Sequence, residues 1–345
     1  MADVDAALDT VLGESPTTWT PVDLTHVLAG DDSEEEPSLL ARTDGVRLLY
    51  RGRLHSLYAE PEGLKTWLAL EACRQELDAG HSVLYVDFED NARAIVQRLR
   101  AMSVEDSTIK DGFTYIRPFE RLTEKAWGEL AASLEVGPSL AVIDGVTEGM
   151  VLEGLNLLDN SDVATFLEKL PRRLSRTGPA VLQLDHVGRN KETRGRFAIG
   201  AQAKLAGIDG AAFSIDIKEP FGRNRTGRAR LLLRKDRQGF VSEHTLGDKR
   251  DIAEVVAITD NGAVTIQLDP PADPSEWKPT QLMDLVYELL ETTPGLSQKQ
   301  ITDQTPGKRE YVLKAIKCLV QDERVRIEPG PRNSLLHHPN TAALI

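Results

Sequence analysis

Ala59-Glu60-Pro61-Glu62-Gly63-Leu64-Lys65-Thr66 follows the apolar run Leu54-His55-Ser56-Leu57-Tyr58 and opens the helical run Trp67-Leu68-Ala69-Leu70-Glu71-Ala72. A strand, a tight loop ending in Lys-Thr and a helix bring backbone N–H groups and the positive end of a helix dipole to one point. That layout cradles nucleotide phosphates. Lys65 would reach the outer phosphates, and the Thr66 hydroxyl would ligate Mg2+. The octet departs from G-x-x-x-x-G-K-[ST] at two places. Ala59 stands where the first glycine falls and Leu64 where the second falls, while Gly63 sits one place early. The expected nucleotide-contacting segment is Ala59, Glu60, Pro61, Glu62, Gly63, Leu64, Lys65, Thr66 and Trp67.

The 345 residues have room for one large domain and a small one. With 41% apolar and 28% charged residues, the composition is that of a globular protein. No apolar run approaches a membrane span, so no membrane partner is expected. The N-terminus lacks the basic and apolar regions of a secretory signal. Cys73 and Cys318 lie far apart and form no metal pattern. Both fall on apolar faces of expected helices and read as buried free thiols, which points to a reducing cytoplasm.

The net charge of −13 is unevenly spread. Residues 1–36 are acidic and hold no Lys or Arg, whereas residues 186–239 hold thirteen Lys/Arg against five acids. A basic block of this kind suits a phosphate backbone, or it is a solvated loop region.

Residues 1–36 read as an acidic N-terminal arm or partner-docking segment. Residues 37–268 alternate apolar β-rich runs with helical ones: strands at 82–88, 113–116, 139–144 and 180–185, helices at 91–102, 124–134 and 163–177. Such alternation predicts an α/β fold, a mainly parallel sheet covered by helices. Runs at 211–217, 229–234 and 255–268 extend it as strands joined by turns. Pro270-Pro271-Ala272-Asp273-Pro274 marks a linker over 269–279. Residues 280–345 read as three helices and a two-stranded wing, a winged helix-turn-helix.

Asp144 ends an apolar strand before Gly145, where an acid can bind Mg2+. Glu89 follows the strand ending at Phe88, where a carboxylate can polarise the attacking water; it could instead cap the next helix, and Asp87 competes for the role. Gln183 and His186 sit at or just past the end of another strand, where a polar side chain can sense a terminal phosphate, although a lone histidine there could equally be structural. The loop beyond, from Gly188 to Gly200, carries Arg189, Lys191, Arg194 and Arg196 and fits a nucleic-acid contact. Lys235 and Arg237 point the same way from a strand end, either toward a neighbour's nucleotide or into solvent. In the last segment Lys308, Arg309 and Arg332 are placed for DNA. Nine basic residues balance nine acidic ones over 275–345, so protein docking is the competing reading.

Taken in order, these motifs resemble the RecA-like P-loop ATPases of the hexameric helicase group, above all plasmid and phage replication ATPases of the RepA type and more distantly DnaB-type helicases. The resemblance covers roughly residues 37–268. It rests on Ala59–Thr66, on Val83-Leu84-Tyr85-Val86-Asp87-Phe88-Glu89-Asp90, on Val142-Ile143-Asp144, on Asp185-His186-Val187-Gly188-Arg189 and on Lys235-Asp236-Arg237-Gln238-Gly239. It implies a RecA-like core using ATP and Mg2+, with Glu89 as catalytic base and His186 as γ-phosphate sensor. It further implies that Lys235 and Arg237 reach the nucleotide of the adjacent subunit in a hexameric ring. The expected function is an ATP-dependent DNA motor or replication ATPase. It would contact single-stranded DNA through the basic loop and duplex DNA or a replication partner through the winged helix. The alternatives are an initiator that uses ATP binding as an assembly switch and a recombinase-like filament former.

Overall fold

The parallel strands that lead to Ala59, Glu89, Asp144 and His186 all end at the same edge of the central sheet, whereas the antiparallel strand that carries Lys235 ends at the other. The computed structural model describes residues 19–29, 35–60, 64–186, 201–222, 225–271, 280–331 and 334–340. These divide into two compact units, the first ending at Asp269 and the second beginning at Pro270.

In the first unit, β1 (Leu39–Ala41) and β2 (Arg47–Leu49) form a small antiparallel hairpin. The main sheet follows: β3 (Leu54–Ala59), β4 (Val83–Asp87), β5 (Phe113–Ile116), β6 (Leu140–Asp144), β7 (Ala180–His186), β8 (Ala211–Glu219), β9 (Gly227–Asp236), β10 (Asp251–Asp260) and β11 (Ala263–Asp269). Their spatial order is β11-β10-β9-β8-β3-β7-β6-β4-β5. The six strands from β8 to β5 run parallel. β9, β10 and β11 extend the sheet by antiparallel pairing. The last hairpin turns at Asn261-Gly262, both at positive φ (48° and 88°), as a tight turn between right-twisted strands requires.

Helices cover both faces, so the parallel strands are apolar on both sides, with alternate residues entering opposite cores. Leu57, Tyr85, Val142 and Leu182 pack under the helix Lys65–Asp78 with Leu68, Ala72 and Cys73. Leu54, Leu84, Ile143 and Val181 face Met150, Phe166 and Leu174 on the other side. The helix expected over 163–177 is two helices, Asn160–Lys169 and Pro171–Ser175. Pro171 has no N–H to continue the ladder, and Leu170 leaves helical geometry at φ −127° and ψ −68°. Short helices at Asp106–Gly112 and Val146–Leu152 are additions to the sequence reading. Both cysteines are buried free thiols. Among the described residues, no helix is long and apolar enough to cross a membrane.

The second unit holds helices Thr280–Thr292, Gln298–Gln304 and Arg309–Gln321 and strands β12 (Leu296–Ser297), β13 (Val325–Pro329) and β14 (Leu335–Pro339). The strands form an antiparallel sheet in the order β12-β14-β13. Ser297 and Gln300 form a reciprocal capping box at the middle helix. Val286, Leu290, Ile301, Val312, Ile316 and Leu319 form the core, as the amphipathic spacing of the last helix requires.

His55, on β3, is fully buried. Its Nε2 accepts the Tyr50 N–H at 2.9 Å, and its Nδ1 lies 3.3 Å from the Val181 carbonyl oxygen. Burial pushes its pKa down to about 4, which keeps the ring neutral in this role. A Cβ at Gly210 would lie 2.5 Å from the His55 Nε2. Gly210→Ala should therefore destabilise the first unit by about 1–3 kcal/mol, read as a lower midpoint in chemical denaturation. An unchanged midpoint would show that the ring relaxes without cost.

Candidate active site

The carboxyl ends of parallel strands are where open α/β sheets place ligands. Here that edge collects Ala59, Asp87, Asp144 and His186. Register pairs Ala59 with His186 and Asp87 with Asp144. β7 lies between β3 and β6, so the strand carrying His186 separates the phosphate-loop strand from the strand carrying Asp144.

Leu64 caps the helix Lys65–Asp78 in the left-handed region, at φ 65°. A non-glycine residue bears a cost of roughly 1–2 kcal/mol there. Leu64 is also buried in the core, which offsets that strain. Leucine thus adopts the backbone of the missing glycine while adding an apolar anchor. Pro61, Glu62 and Gly63 lie outside the described residues. Trp67 stacks edge-on against Phe221 with ring centroids 5.4 Å apart.

Lys65 is buried, and its Nζ donates to the Ala59 carbonyl oxygen at 3.3 Å and lies 2.8 Å from His186 Nδ1. Burial lowers its pKa, while the charges of Glu89, Asp144, Asp185 and Glu148 oppose that shift. His186 Nε2 lies 2.5 Å from Glu89 Oε1. One imidazole therefore bridges the phosphate-loop lysine and the expected water-activating carboxylate. Asp87, the competing base, is already engaged: its Oδ1 accepts the N–H groups of Glu89 and Asp90, and its Oδ2 accepts the Tyr115 hydroxyl at 2.9 Å. Asp87 shapes the turn that presents Glu89.

Asp144 is almost fully buried. Its Oδ2 accepts Tyr85 OH at 2.7 Å and Thr66 Oγ1 at 3.2 Å. Its Oδ1 is buried with no hydrogen-bond partner among the described residues. Desolvation pushes this carboxyl up to about 6, with the hydrogen bond from Tyr85 opposing and Glu89 and Asp87 adding to the rise. A hydroxyl beside a buried carboxylate with one oxygen unsatisfied is a donor set suited to Mg2+, a hard cation that takes oxygen ligands. The residues present fit the ion.

Sequence reading missed Glu148, on the short helix that begins one residue after Gly145. Its Oε2 is buried without a partner among the described residues. One His186 nitrogen and one oxygen each of Glu89 and Glu148 lie within 4.8 Å of one another. Gly145, at φ 86°, makes this possible: a Cβ there would lie 2.8 Å from Glu89 Cγ and 3.1 Å from Glu148 Oε2. The signal available in the sequence was a glutamate one helical turn beyond Asp144. Gln183 is fully buried on β7, with neither amide atom hydrogen-bonded among the described residues. Farther away, Lys235 Nζ donates to the carbonyl oxygens of Leu205 and Ala206, both at 2.9 Å. Arg237 is exposed just beyond β9. Arg189, Lys191, Arg194, Arg196 and Arg332 lie outside the described residues. Lys308 and Arg309 are exposed at the start of the last helix of the second unit.

A parallel sheet with a Lys-Thr phosphate loop and an acid two strands away defines a P-loop ATPase of the RecA-like kind. The family model AAA_25, described as an AAA domain, matches residues 18–192, just over half of the chain, and the chain belongs to that family. Among solved structures, a KaiC-like protein from the hyperthermophilic archaeon Pyrococcus horikoshii OT3 is similar at 13% identity and a TM-score of 0.47. That match covers 69% of this chain and 100% of the other. No curated protein matches the sequence.

The raised Asp144 carboxyl has a signed consequence. The folded chain binds this proton more tightly than the unfolded chain does, so the nucleotide-free protein loses stability from this group as pH rises from 3.8 through about 6. At neutral pH the cost is about 3 kcal/mol. Asp144→Asn should raise the melting temperature of the nucleotide-free protein at pH 7.5 and remove its Mg2+ affinity. A melting temperature that does not rise would contradict the unfavourable burial of this charge.

Proposed function

We propose that this chain is an ATP-dependent DNA motor or replication ATPase that works as a homo-oligomeric ring, hexameric by the resemblance. One observation carries the reading: Lys65, Thr66, Asp144, Glu89 and His186 converge at one strand edge, two of them linked through His186. Lys65 and the helix N-terminus neutralise the outer phosphates of ATP. Thr66 and Asp144 would hold Mg2+, which supplies charge neutralisation across the phosphates. Glu89 takes the proton of the attacking water. For Lys65 to reach a phosphate it must leave His186 Nδ1, and the imidazole, still facing Glu89 through Nε2, is then free to turn toward the phosphate and report it to the chain that follows β7. There Arg189, Lys191, Arg194 and Arg196 would meet single-stranded DNA.

Lys235 and Arg237 act on the nucleotide of an adjacent copy. Lys235 meanwhile holds the carbonyl end of the helix Ala201–Ala206, which offers a mechanical link between a neighbour's nucleotide and the basic segment. Three helices and a three-stranded sheet in the second unit support a winged helix, with Lys308, Arg309 and Arg332 toward duplex DNA or a replication partner. A cytoplasmic location fits the two free thiols.

A second reading, an initiator that uses ATP binding as an assembly switch, is favoured by the same His186 bridge. A resting site whose lysine and base are both engaged turns over slowly until a partner opens it. Steady-state phosphate release with and without single-stranded DNA separates the two readings. Stimulation supports the motor, and tight ATP binding without release supports the switch. Lys65→Ala should abolish turnover, and Glu89→Gln should keep nucleotide binding while lowering turnover by at least about 100-fold. Undiminished hydrolysis by either variant would remove that residue from the site.

A further inference from the structure

At the opposite edge of the sheet, where β3, β7 and β8 begin, a cavity of about 440 Å3 is lined by Arg53, Arg172, Arg176 and Arg237, with Asp209 and Ser175 among its other walls. Four guanidinium groups from three separate segments meet there, Arg172 and Arg176 sharing the helix Pro171–Ser175 and its C-cap. The cluster is not internally neutralised. Asp209 is the carboxylate of the lining; it lies 3.8 Å from Arg53 and is committed to the Leu54 N–H at 2.7 Å. Glu35 pairs with Arg53 from an exposed position at 2.7 Å. Glu168 serves both Arg172 and Arg176. The Arg237 backbone N–H donates to the Gly210 carbonyl oxygen at 3.2 Å, and its guanidinium makes no hydrogen bond or ion pair among the described residues. Burial and then the charge of Arg237 lower the pKa of the neighbouring Lys235, with Arg172 adding to the effect, so cations crowd this corner.

Guanidinium forks match phosphate oxygens in geometry as well as charge. β3 spans six residues, roughly 20 Å, between this cavity and the phosphate loop. A nucleotide in the chain's own loop therefore does not reach it. We propose that this cavity is a second phosphate-binding site, in which Arg53, Arg172, Arg176 and Arg237 receive a phosphate group that the chain's own P-loop does not hold. Two sources carry that chemistry: free phosphate or pyrophosphate, and the terminal phosphate of a nucleotide bound by a second copy. The latter source rests on the proposed ring; the site itself does not. An occupant would also relieve the repulsion on Lys235, and Lys235 holds the end of the helix Ala201–Ala206.

Pyrophosphate titrated by calorimetry into the Lys65→Ala protein tests the site without the P-loop. Saturable binding of one anion per chain is expected. It should weaken at least about tenfold in Lys65→Ala combined with Arg172→Ala and Arg176→Ala. Arg237→Ala, at an exposed side chain without partners among the described residues, should weaken it as well and guards against misfolding of the multiple variant. No binding in the Lys65→Ala protein, or binding indifferent to these arginines, overturns the proposal. So does displacement of pyrophosphate by a short single-stranded oligonucleotide at comparable phosphate concentration, which assigns the cavity to nucleic acid. Mixing Lys65→Ala chains with Arg172→Ala/Arg176→Ala chains identifies the source. Recovered ATP hydrolysis points to a second copy's nucleotide, and no recovery with pyrophosphate binding intact points to the free anion. Loss of turnover without loss of this binding would count against the ring and not against the cavity.

Discussion

A carboxylate withdrawn from water with half of its acceptor capacity unused sets the terms for everything near Asp144. Two hydroxyls satisfy Oδ2, and nothing described satisfies Oδ1. An uncompensated buried charge of this kind is costly, and proteins keep it where a cation offsets the cost. The strand register brings Asp87 level with Asp144, adding a second negative charge at the same depth. Asp87 accepts donors from its own turn and from Tyr115 and has the Arg117 guanidinium 3.5 Å away, whereas Asp144 keeps one oxygen without a partner among the described residues.

Around it the side chains hold one another in place. Lys65 would be an isolated buried ammonium, and Glu89 a carboxylate facing two others, were it not for His186 between them. The imidazole suits this position because one ring nitrogen accepts while the other donates. Gly145 contributes by lacking a side chain: Glu89 and Glu148 pass where a Cβ would stand. The two edges of the sheet have opposite character. The carboxyl edge gathers Asp87, Glu89, Asp144 and Glu148 beside Lys65, and the amino edge gathers four arginines around the cavity that Asp209 lines.

Much of the site was legible because strand ends are legible. An apolar run that stops at Asp, Glu or His puts that residue at the sheet edge, and parallel strands share one edge; Asp144, Glu89 and His186 could be placed on that argument alone. Lys65 and Thr66 followed from a loop between a strand and a helix. Leu64 looked like a departure from the pattern, and its backbone angle shows how the departure is accommodated. Glu148, Tyr85 and the arginine cavity were not legible. Tyr85 reads as a strand apolar residue, Glu148 as a surface helix acid, and the four arginines are separated by up to 184 positions (237 − 53). The break at Leu170-Pro171 went unread because the apolar periodicity runs straight through it.

By itself the sequence determined the alternation of strands and helices, the division near Pro270, and which residue types end each strand, since these depend on local periodicity and turn chemistry. The tertiary structure decided which of those ends meet. It inserted β7 between β3 and β6, spent the hydrogen-bonding capacity of Asp87 on the turn that carries Glu89, and drew arginines from three segments to one cavity. Such choices rest on strand order and desolvation. Both are set by contacts between residues far apart in the chain, and no local pattern encodes them.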